Sequence, residues 1–356
     1  MKHFIYSIHT FECQLQLTKY NYHTLVNDIY TKAKNTYRIV HKGNHLWICL
    51  NPPQGLLISL HRTDFGYYCI HIVVNPKTIL DPKNICNIFN PETDSLDTVF
   101  KKVNEMLSFM GNLYRIENFE LTRIDLCIDV KCKDDTTVEE YIRLAKKGIL
   151  PYGYQDKLKL LKHTKKKINH KFSFDIVNKQ GAQITLYNKY QQLLNIKTPE
   201  NLASKAYGTL RIEVKLSDLW LKRYLERYGF DNSLMSLELI SYFIQNSQSI
   251  IHKHICKTCF SGTYYKLEEA IYFIQHSSIK RKYKEILIIC TKLIAKHHSY
   301  QLAAEMITQN YGFSKATLKR ALQALSNIGI NPVTIGKNRS HSCLEGLHEI
   351  LGITKQ

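Results

Sequence analysis

Short apolar runs separated by turn residues fill the first third of the chain. Alternating, β-rich runs cover residues 45–50, 55–61 and 67–74, and the turn segments Asn51-Pro52-Pro53 and Asp64-Phe65-Gly66 separate them. Strands of this length joined by such turns are typical of an antiparallel meander. The first 20 residues alternate in the same way and predict a further amphipathic strand, without the continuous apolar segment of a signal peptide.

Helical and strand patterns then alternate. Apolar residues at helical spacing predict a helix over 96–107, and a capping box at Thr137 and Glu140 predicts the start of another. The other predicted elements are strands at 121–130, 172–177, 183–189 and 209–216 and a helix at 218–228. This order predicts an α+β fold, with a central antiparallel sheet and helices packed on one face.

Strand patterns disappear after residue 231, and the remainder of the chain has helical periodicity. We therefore predict two domains, 1–234 for binding and chemistry and 235–356 as an all-α C-terminal domain. Residues 300–325 contain two helical patterns joined by Tyr311-Gly312-Phe313, which is the outline of a helix-turn-helix. Its second helix would offer Lys315, Lys319 and Arg320 to DNA, whereas a plain helical hairpin is the alternative.

The charge of the chain narrows the class of partner. In 356 residues, 49 Lys and Arg stand against 30 Asp and Glu, a formal net charge of +19 that favours a polyanion. Nucleic acid fits this charge better than an anionic membrane surface, because basic residues are spread through segments that are predicted to fold. Residues 286–295 form the most apolar later run, but Lys292 interrupts it, so no membrane span is expected. The 10 cysteines follow no disulfide spacing, which favours a reducing, cytoplasmic location.

The densest basic segment is residues 157–171, KLKLLKHTKKKINHK. Its lysines alternate with leucines as in the edge of a hairpin. We predict a DNA-backbone contact here, and a solvated loop is the alternative. The lysines that would make this contact are Lys162, Lys165, Lys166 and Lys167.

Three predicted strands place charged residues on a common face. Period-two alternation puts Arg123, Asp125 and Asp129 opposite the apolar residues of the first strand. The second strand presents Tyr187 and Lys189 in the same way, and the third presents Arg211, Glu213 and Lys215. Neighbouring strands would therefore gather carboxylates, a tyrosine and cations, although cross-strand ion pairs with a structural role fit the same pattern.

Such a set suits cleavage of a phosphodiester. Carboxylates are preferred ligands of Mg²⁺ or Mn²⁺, and such an ion stabilises charge on the scissile phosphate. A tyrosine can attack phosphorus and hold the cut strand as a phosphotyrosine ester. Its phenol normally titrates near pH 10 and needs assistance, which Lys189 would supply, while Arg123 and Arg211 would hold DNA phosphates.

The same segments resemble the replication initiation factor family, which contains rolling-circle initiators of Gram-positive plasmids, proteins of conjugative transposons and filamentous-phage replication proteins. The family pattern is Thr/Ser-Arg-hydrophobic-Asp-Leu-x-x-Asp, then Tyr-x-Lys, then Arg-hydrophobic-Glu. In this chain the corresponding segments are 122–129 (TRIDLCID), 186–189 (LYNK) and 211–213 (RIE), and 313–320 with 329–332 is similar to the C-terminal part of the phage-type members.

The resemblance implies a nicking and joining endonuclease related to the HUH class. Such an enzyme would use a divalent metal and would act on origin DNA that is single-stranded or folded as a hairpin. It implies Asp125 and Glu213 as metal ligands, Asp129 as a supporting ligand and Tyr187 as nucleophile. Tyr190 replaces Tyr187 if the chain turns helical after Asn188. No His-hydrophobic-His triplet lies on a suitable strand between residues 80 and 130, so the metal would rest on carboxylates.

Partners implied by the resemblance are the host helicase and polymerase, and a homodimer is possible within this family. Two other functions remain open from the sequence: a non-catalytic, sequence-specific DNA-binding regulator, and a relaxase of a mobile element. A tight cluster in the C-terminal region also has zinc-ligand residue types, but its spacing is unusual for one tetrahedral ion. Its members are His252, His254, Cys256 and Cys259.

Overall fold

The computed structural model describes seven stretches of the chain. They are residues 4–33, 38–42, 45–49, 55–63, 65–157, 170–230 and 236–353. Lys162, Lys165, Lys166 and Lys167 lie outside these described residues, so their predicted contact with DNA stays a prediction.

Strands dominate the first 220 residues. In chain order they are β1 (Tyr6–Leu17), β2 (Arg38–Lys42), β3 (His45–Cys49), β4 (Leu56–Arg62), β5 (Tyr68–Val74), β6 (Glu120–Lys131), β7 (Tyr154–Asp156), β8 (Ser173–Asn178), β9 (Ala182–Asn188), β10 (Thr209–Ser217), β11 (Tyr264–Tyr265) and β12 (Cys343–Leu344). The meander predicted for the first third is confirmed by β3, β4 and β5, and β1 confirms the amphipathic strand near the N-terminus.

Helices lie between the strands and make up most of the C-terminal third. In chain order they are α1 (Lys19–Asp28), α2 (Pro76–Leu80), α3 (Leu96–Leu107), α4 (Asp135–Lys147), α5 (Lys189–Asn195), α6 (Glu200–Ala203), α7 (Asp218–Tyr228), α8 (Ser236–Gln245), α9 (Ser247–Thr258), α10 (Leu267–His276), α11 (Arg281–His297), α12 (Tyr300–Asn310), α13 (Lys315–Asn327) and α14 (Leu347–Ile350). The α+β class is confirmed.

Unit 1 comprises Met1–Asp129, Lys179–Gln183 and Glu213–Ser249. Its strand order is β2-β3-β4-β5-β1-β6-β10. The pairs that join β2 to β3, β3 to β4, β4 to β5, β5 to β1 and β1 to β6 are all antiparallel. The core is built from alternate residues, among them Ile58, Ile70 and Ile124, each fully buried.

Unit 2 comprises Val130–Asn178, Ile184–Ile212 and Ile250–Gln356. Its strand order is β10-β9-β8-β7. The strands that carry the predicted polar face are adjacent in pairs, β6 with β10 in unit 1 and β10 with β9 in unit 2. Helices packed on a single face of the sheet, and an HUH-like arrangement of the strands, stay predictions.

The C-terminal residues of unit 2 pack on α4. Lys147 Nζ donates to the carbonyl of Thr334 at 2.9 Å, and the Tyr141 hydroxyl donates to the carbonyl of Glu345 at 2.9 Å. Because α4 and residues 250–356 share buried contacts, the structure divides the chain differently from the boundary expected at residue 234. Among the described C-terminal residues, the secondary-structure elements are all helices apart from the two-stranded pairing of β11 with β12.

Helix starts follow local capping. Ser95 Oγ accepts from the backbone N–H of Thr98 and starts α3 where the apolar spacing predicts it. The start of α4 differs from the prediction, because Asp134 Oδ1 accepts from the backbone N–H of Thr137 at 2.8 Å. Asp134 is therefore the N-cap, and Thr137 lies inside the first turn. Among the described residues, no helix is both long and apolar enough to cross a membrane.

Candidate functional site on the polar face of unit 1

A β-bulge in β1 places two neighbouring side chains on the same side of the sheet. Ile8 pairs with Leu126 and Thr10 pairs with Asp125, so His9 is an extra residue in β1. Ile8 and Phe11 are both fully buried, three positions apart, where regular alternation would bury every second residue. The bulge therefore brings both His9 and Thr10 to the polar face, which is a common use of bulges near functional sites.

Asp125 lies at the centre of this face and is 1% exposed. Thr10 Oγ1 donates to its Oδ2 at 2.6 Å. The guanidinium of Arg123 binds both carboxylate oxygens, from Nε to Oδ1 at 2.9 Å and from Nη2 to Oδ2 at 3.2 Å. This bidentate pairing offsets the cost of burying the carboxylate.

Lys215 connects Asp125 to Glu213. Its Nζ lies 3.6 Å from Asp125 Oδ2 and 3.4 Å from Glu213 Oε2. The other carboxylate oxygen of Glu213, Oε1, lies 2.9 Å from His9 Nδ1. The two carboxylates predicted to act together therefore do converge, and an ammonium group lies between them.

Glu12 extends the network towards β5. It forms an ion pair with Arg123, and its Oε2 lies 3.4 Å from Nε2 of His71. The ring of His71 in turn lies 5.4 Å, centroid to centroid, from the ring of His61 on β4. We call the connected side chains the polar cluster; its members are His9, Thr10, Glu12, His71, Arg123, Asp125, Glu213 and Lys215.

Two pKa values report the strength of this network. Burial alone would raise the pKa of Glu12, but the hydrogen bond from His71 and the charges of Arg123, His71 and Lys215 outweigh it and lower that pKa. Burial alone would lower the pKa of Lys215, but the carboxylates of Glu213 and Asp125 outweigh it and raise that pKa. Both groups are therefore held in their charged forms at neutral pH.

The polar cluster as arranged does not fit a divalent metal. The expected ligands Asp125 and Glu213 already share Lys215, and both oxygens of Asp125 bind Arg123. Across the described stretches, no group of three or more His, Cys, Asp or Glu side chains is positioned to hold a metal ion. Asp129, the expected supporting ligand, is half-buried. A metal at the two carboxylates would have to displace Lys215.

The side chains expected to carry the chemistry in unit 2 are buried. Tyr187 is 8% exposed, Lys189 is 2% exposed and Arg211 is fully buried. Both faces of this part of β9 are covered, so the open face predicted for Tyr187 is wrong. Lys189 lies in α5, not in the strand, and its Nζ donates to Gln192 Oε1 at 2.9 Å.

The chain turns helical directly after Asn188, which is the arrangement in which Tyr190 is the alternative candidate to Tyr187. Asn188 Oδ1 accepts from the backbone N–H of Gln191 at 3.1 Å and caps α5. Tyr190 lies in the first turn and is partly exposed. Its ring contacts the ring of Tyr207 edge to face at 5.7 Å between centroids, and Tyr207 is 51% exposed.

The predicted helix-turn-helix residues lie on two consecutive helices, α12 and α13, that pack with α11. Gly312 in the connecting turn has φ +69°, and Ser314 Oγ accepts from the backbone N–H of Thr317 at 3.2 Å as N-cap of α13. Leu318, Ala321 and Leu325 form the buried face of α13. Its exposed side chains include Lys315, Lys319 and Arg320.

The zinc-type residues are distributed around α9. His254 Nδ1 lies 2.8 Å from the carbonyl of Ile250, and burial lowers the pKa of His254 to about 4. Burial raises the pKa of the Cys259 thiol to about 11, which keeps it protonated. His252 is half-buried and Cys256 is exposed. His254 and Cys259 are therefore buried side chains with structural contacts inside unit 2.

Sequence reasoning missed four members of the polar cluster, namely His9, Thr10, Glu12 and His71. The signal for Glu12 was its place in an amphipathic strand. His9 depends on the bulge and His71 on the pairing of β5 with β1, and neither is encoded in local periodicity.

No protein-family model matches the chain, and no curated protein matches its sequence. Two solved chains match its structure. One is described as "Structure of Rolling Circle Replication Initiator Protein from Geobacillus stearothermophilus"; it is 10% identical, with 72% of this chain and 86% of that chain covered. The TM-score is 0.33, which is too low to support any inference about site or activity.

Replacement of Glu12 by Gln tests the network through pH. Because the folded-state pKa of Glu12 is lowered, its stabilisation is present above the unfolded pKa near 4.5 and is lost as pH falls through the lower folded value. We expect Glu12→Gln to reduce the free energy of unfolding at pH 7 by about 1 kcal/mol and to have a smaller effect near pH 3. Urea unfolding at both pH values measures this; an equal loss at both would contradict the ion-pair explanation.

His254 provides a second pH test, in unit 2. Its pKa falls from 6.5 unfolded to about 4 folded, so stability is full above pH 6.5 and declines as pH falls towards 4. The original protein should lose free energy of unfolding on the order of 3 kcal/mol as pH falls over that range, and we expect His254→Leu to abolish this loss. His276→Leu is the matched control, because His276 makes the same 2.8 Å contact four residues back but is exposed. Equal pH profiles for both variants would refute the prediction.

Proposed function

We propose that this protein is a rolling-circle-type replication initiator, which nicks one DNA strand at an origin through a covalent phosphotyrosine and later rejoins it. The observation that carries the proposal is the polar cluster. Arg123, Asp125 and Glu213 belong to two separate segments of the family pattern and lie in one connected network in unit 1. Recruitment of the host helicase and polymerase, and a homodimer, belong to the same proposal.

The net charge and the exposed cations support DNA as the substrate. The formal charge of +19 favours a polyanion, and Arg123 and Lys215 are 29% and 30% exposed beside Asp125 and Glu213, which are almost fully buried. A phosphate that approaches from solvent therefore meets a guanidinium and an ammonium group first. Such contacts position a strand without reading its sequence.

In the proposed reaction the phenolic oxygen of a tyrosine attacks phosphorus and forms a new phosphorus–oxygen bond. The bond from phosphorus to the leaving sugar oxygen breaks, the phenol gives its proton to solvent, and the leaving oxygen takes up a proton. The phosphotyrosine ester conserves the bond energy, and attack by a sugar hydroxyl reverses the sequence. Pairing with Asp125 keeps Arg123 oriented to bind phosphate.

Tyr190 is the first candidate for the nucleophile, on the ground of access. It is partly exposed at the start of α5, whereas Tyr187, the tyrosine of the family pattern, is 8% exposed. Tyr187 remains the alternative. A local opening of the end of β9 would be required before a DNA phosphate reached its hydroxyl.

The burial of Tyr187, Lys189 and Arg211 favours a second candidate function, a DNA-binding regulator that does not cut. A regulator would use the same cations for binding and would need no accessible phenol. A relaxase of a mobile element shares the proposed chemistry and differs in its partners.

Trapping the covalent adduct separates these functions and identifies the nucleophile. The full chain is incubated with a labelled pool of single-stranded oligonucleotides of random sequence, with Mn²⁺ in one arm and EDTA in another. Trypsin cuts after Lys189, so Tyr187 and Tyr190 fall in different peptides, 180–189 and 190–197. We expect the adduct on 190–197 and its loss in Tyr190→Phe.

The other two outcomes of the adduct experiment lead to different conclusions. An adduct on 180–189 that is lost in Tyr187→Phe keeps the nicking function and moves the nucleophile to Tyr187. Oligonucleotide binding without an adduct in either arm would overturn the nicking function in favour of the regulator.

We propose that α12 and α13 bind duplex DNA at the origin, with α13 in a groove. The support is the capped second helix, its three exposed cations and the absence of Asp or Glu from Lys315–Asn327. A three-helix arrangement with a short, Gly-containing turn is typical of helix-turn-helix domains.

Replacement of Lys319 and Arg320 by Ala tests this surface. We expect binding of a random-sequence duplex to weaken by roughly tenfold, with a shallower dependence on salt, because two phosphate contacts are removed. The control is Lys292→Ala with Lys296→Ala, which removes two exposed cations from α11. Equal weakening in both double variants, measured by fluorescence anisotropy over a salt series, would count against α13.

A further inference from the structure

The mismatch between the polar cluster and a divalent metal points to a role for Lys215. The expected metal position, between Asp125 and Glu213, contains the ammonium group of Lys215, at 3.6 Å and 3.4 Å from the two carboxylates. Two carboxylates joined by one cation in this way resemble the charge arrangement of a metal site, with the protein's own side chain as the cation.

Burial sorts the charges of the cluster into two layers. The lower layer is acidic, because Asp125 is 1% and Glu213 is 2% exposed. The more exposed layer contains the side chains of Lys215 and Arg123, at 30% and 29%, together with Glu12 at 16%. His9 and His71 are partly exposed beside them. A divalent cation from solvent would therefore have to pass two positive groups, whereas an anion would reach those groups directly.

The contacts beneath Lys215 and Arg123 restrict their motion. Arg123 is held by both oxygens of Asp125 and by Glu12, and Lys215 is held by Glu213 and Asp125. Orientation by buried carboxylates reduces the entropy that a flexible cation loses on binding phosphate. The acids therefore act as positioning residues for the two cations.

We propose that Lys215 is the resident cation of this site: with Arg123 it binds a backbone phosphate of single-stranded DNA, and it replaces the divalent metal that Asp125 and Glu213 would otherwise hold. This inference rests on the proposed DNA substrate and deepens it. Strand binding at the polar cluster is then independent of divalent metal, and Asp125 and Glu213 serve to hold Lys215.

The first experiment measures binding of a fluorescent single-stranded oligonucleotide of mixed sequence to the full chain in EDTA, over a salt series. We expect Lys215→Met to weaken binding at least fivefold and to reduce the slope of log K against log salt by about 0.7, the value for one phosphate contact on a single strand. Lys222→Met is the matched control, because Lys222 is a 57% exposed lysine of α7 in the same unit. It removes the same charge and should change binding little.

Lys215→Arg is the control for a loss of folding. This variant keeps the positive charge above Asp125 and Glu213 and should retain binding within about twofold of the original protein, whereas Lys215→Met loses it. If Lys215→Met fails to fold, Lys215→Met combined with Glu213→Gln removes the cation together with one of the carboxylates that it compensates, and the salt slope of this double variant should be smaller than that of Lys222→Met by about 0.7. Slopes identical to the control would overturn the proposal.

A second experiment titrates Mn²⁺ into the protein alone and follows the free ion by electron paramagnetic resonance. The original protein should show no micromolar site, and Lys215→Met should bind Mn²⁺ at least tenfold more tightly, because two carboxylates lose their cation. Micromolar binding by the original protein that disappears in Asp125→Asn would overturn the role of Lys215.

Failure of this inference is distinguishable from failure of the proposed function. An adduct that forms only with Mn²⁺, and equally well in Lys215→Met, would keep the nicking function and exclude Lys215 as the cation. Binding in EDTA that depends on Lys215, without any adduct, would keep the Lys215 site and exclude nicking.

Discussion

The shared ion pairs of Asp125 hold the polar cluster together. A carboxylate that is 1% exposed is stable only if cations and hydrogen-bond donors compensate its lost hydration, and here Arg123, Lys215 and Thr10 do so. Because these partners lie on β1, β6 and β10, the pairs also fix three strands relative to each other within unit 1. Removing one partner of such a buried pair typically costs about 3–5 kcal/mol.

The same pairs determine what the face offers to a ligand. Asp125 and Glu213 are almost fully buried, whereas Lys215 and Arg123 are partly exposed, so the cations are more accessible to a ligand than the carboxylates that hold them. The sequence predicts that Asp125 and Glu213 are metal ligands. In the structure, these carboxylates instead hold cations that can contact phosphate. The chemistry of the site depends on which of the two layers a ligand meets.

Periodicity predicted much of the fold and part of the site. The alternation of Ile124, Leu126 and Ile128 correctly assigned the buried face of β6, and the apolar spacing correctly assigned α3. His9 was not predictable, because its orientation arises from one extra residue in β1. The burial of Tyr187 was also not predictable from local alternation, since β9 is buried on both of its faces. Long-range contacts also join α4 to the C-terminal residues of unit 2.

The most direct test of the account is a crystal structure of the full chain with a single-stranded oligonucleotide, grown with Mn²⁺ present. The account predicts a backbone phosphate within hydrogen-bond distance of Lys215 Nζ and of the Arg123 guanidinium, with Lys215 still between Asp125 and Glu213. A manganese ion bound by both carboxylates, with Lys215 displaced, would contradict it, as would a strand bound away from the polar cluster.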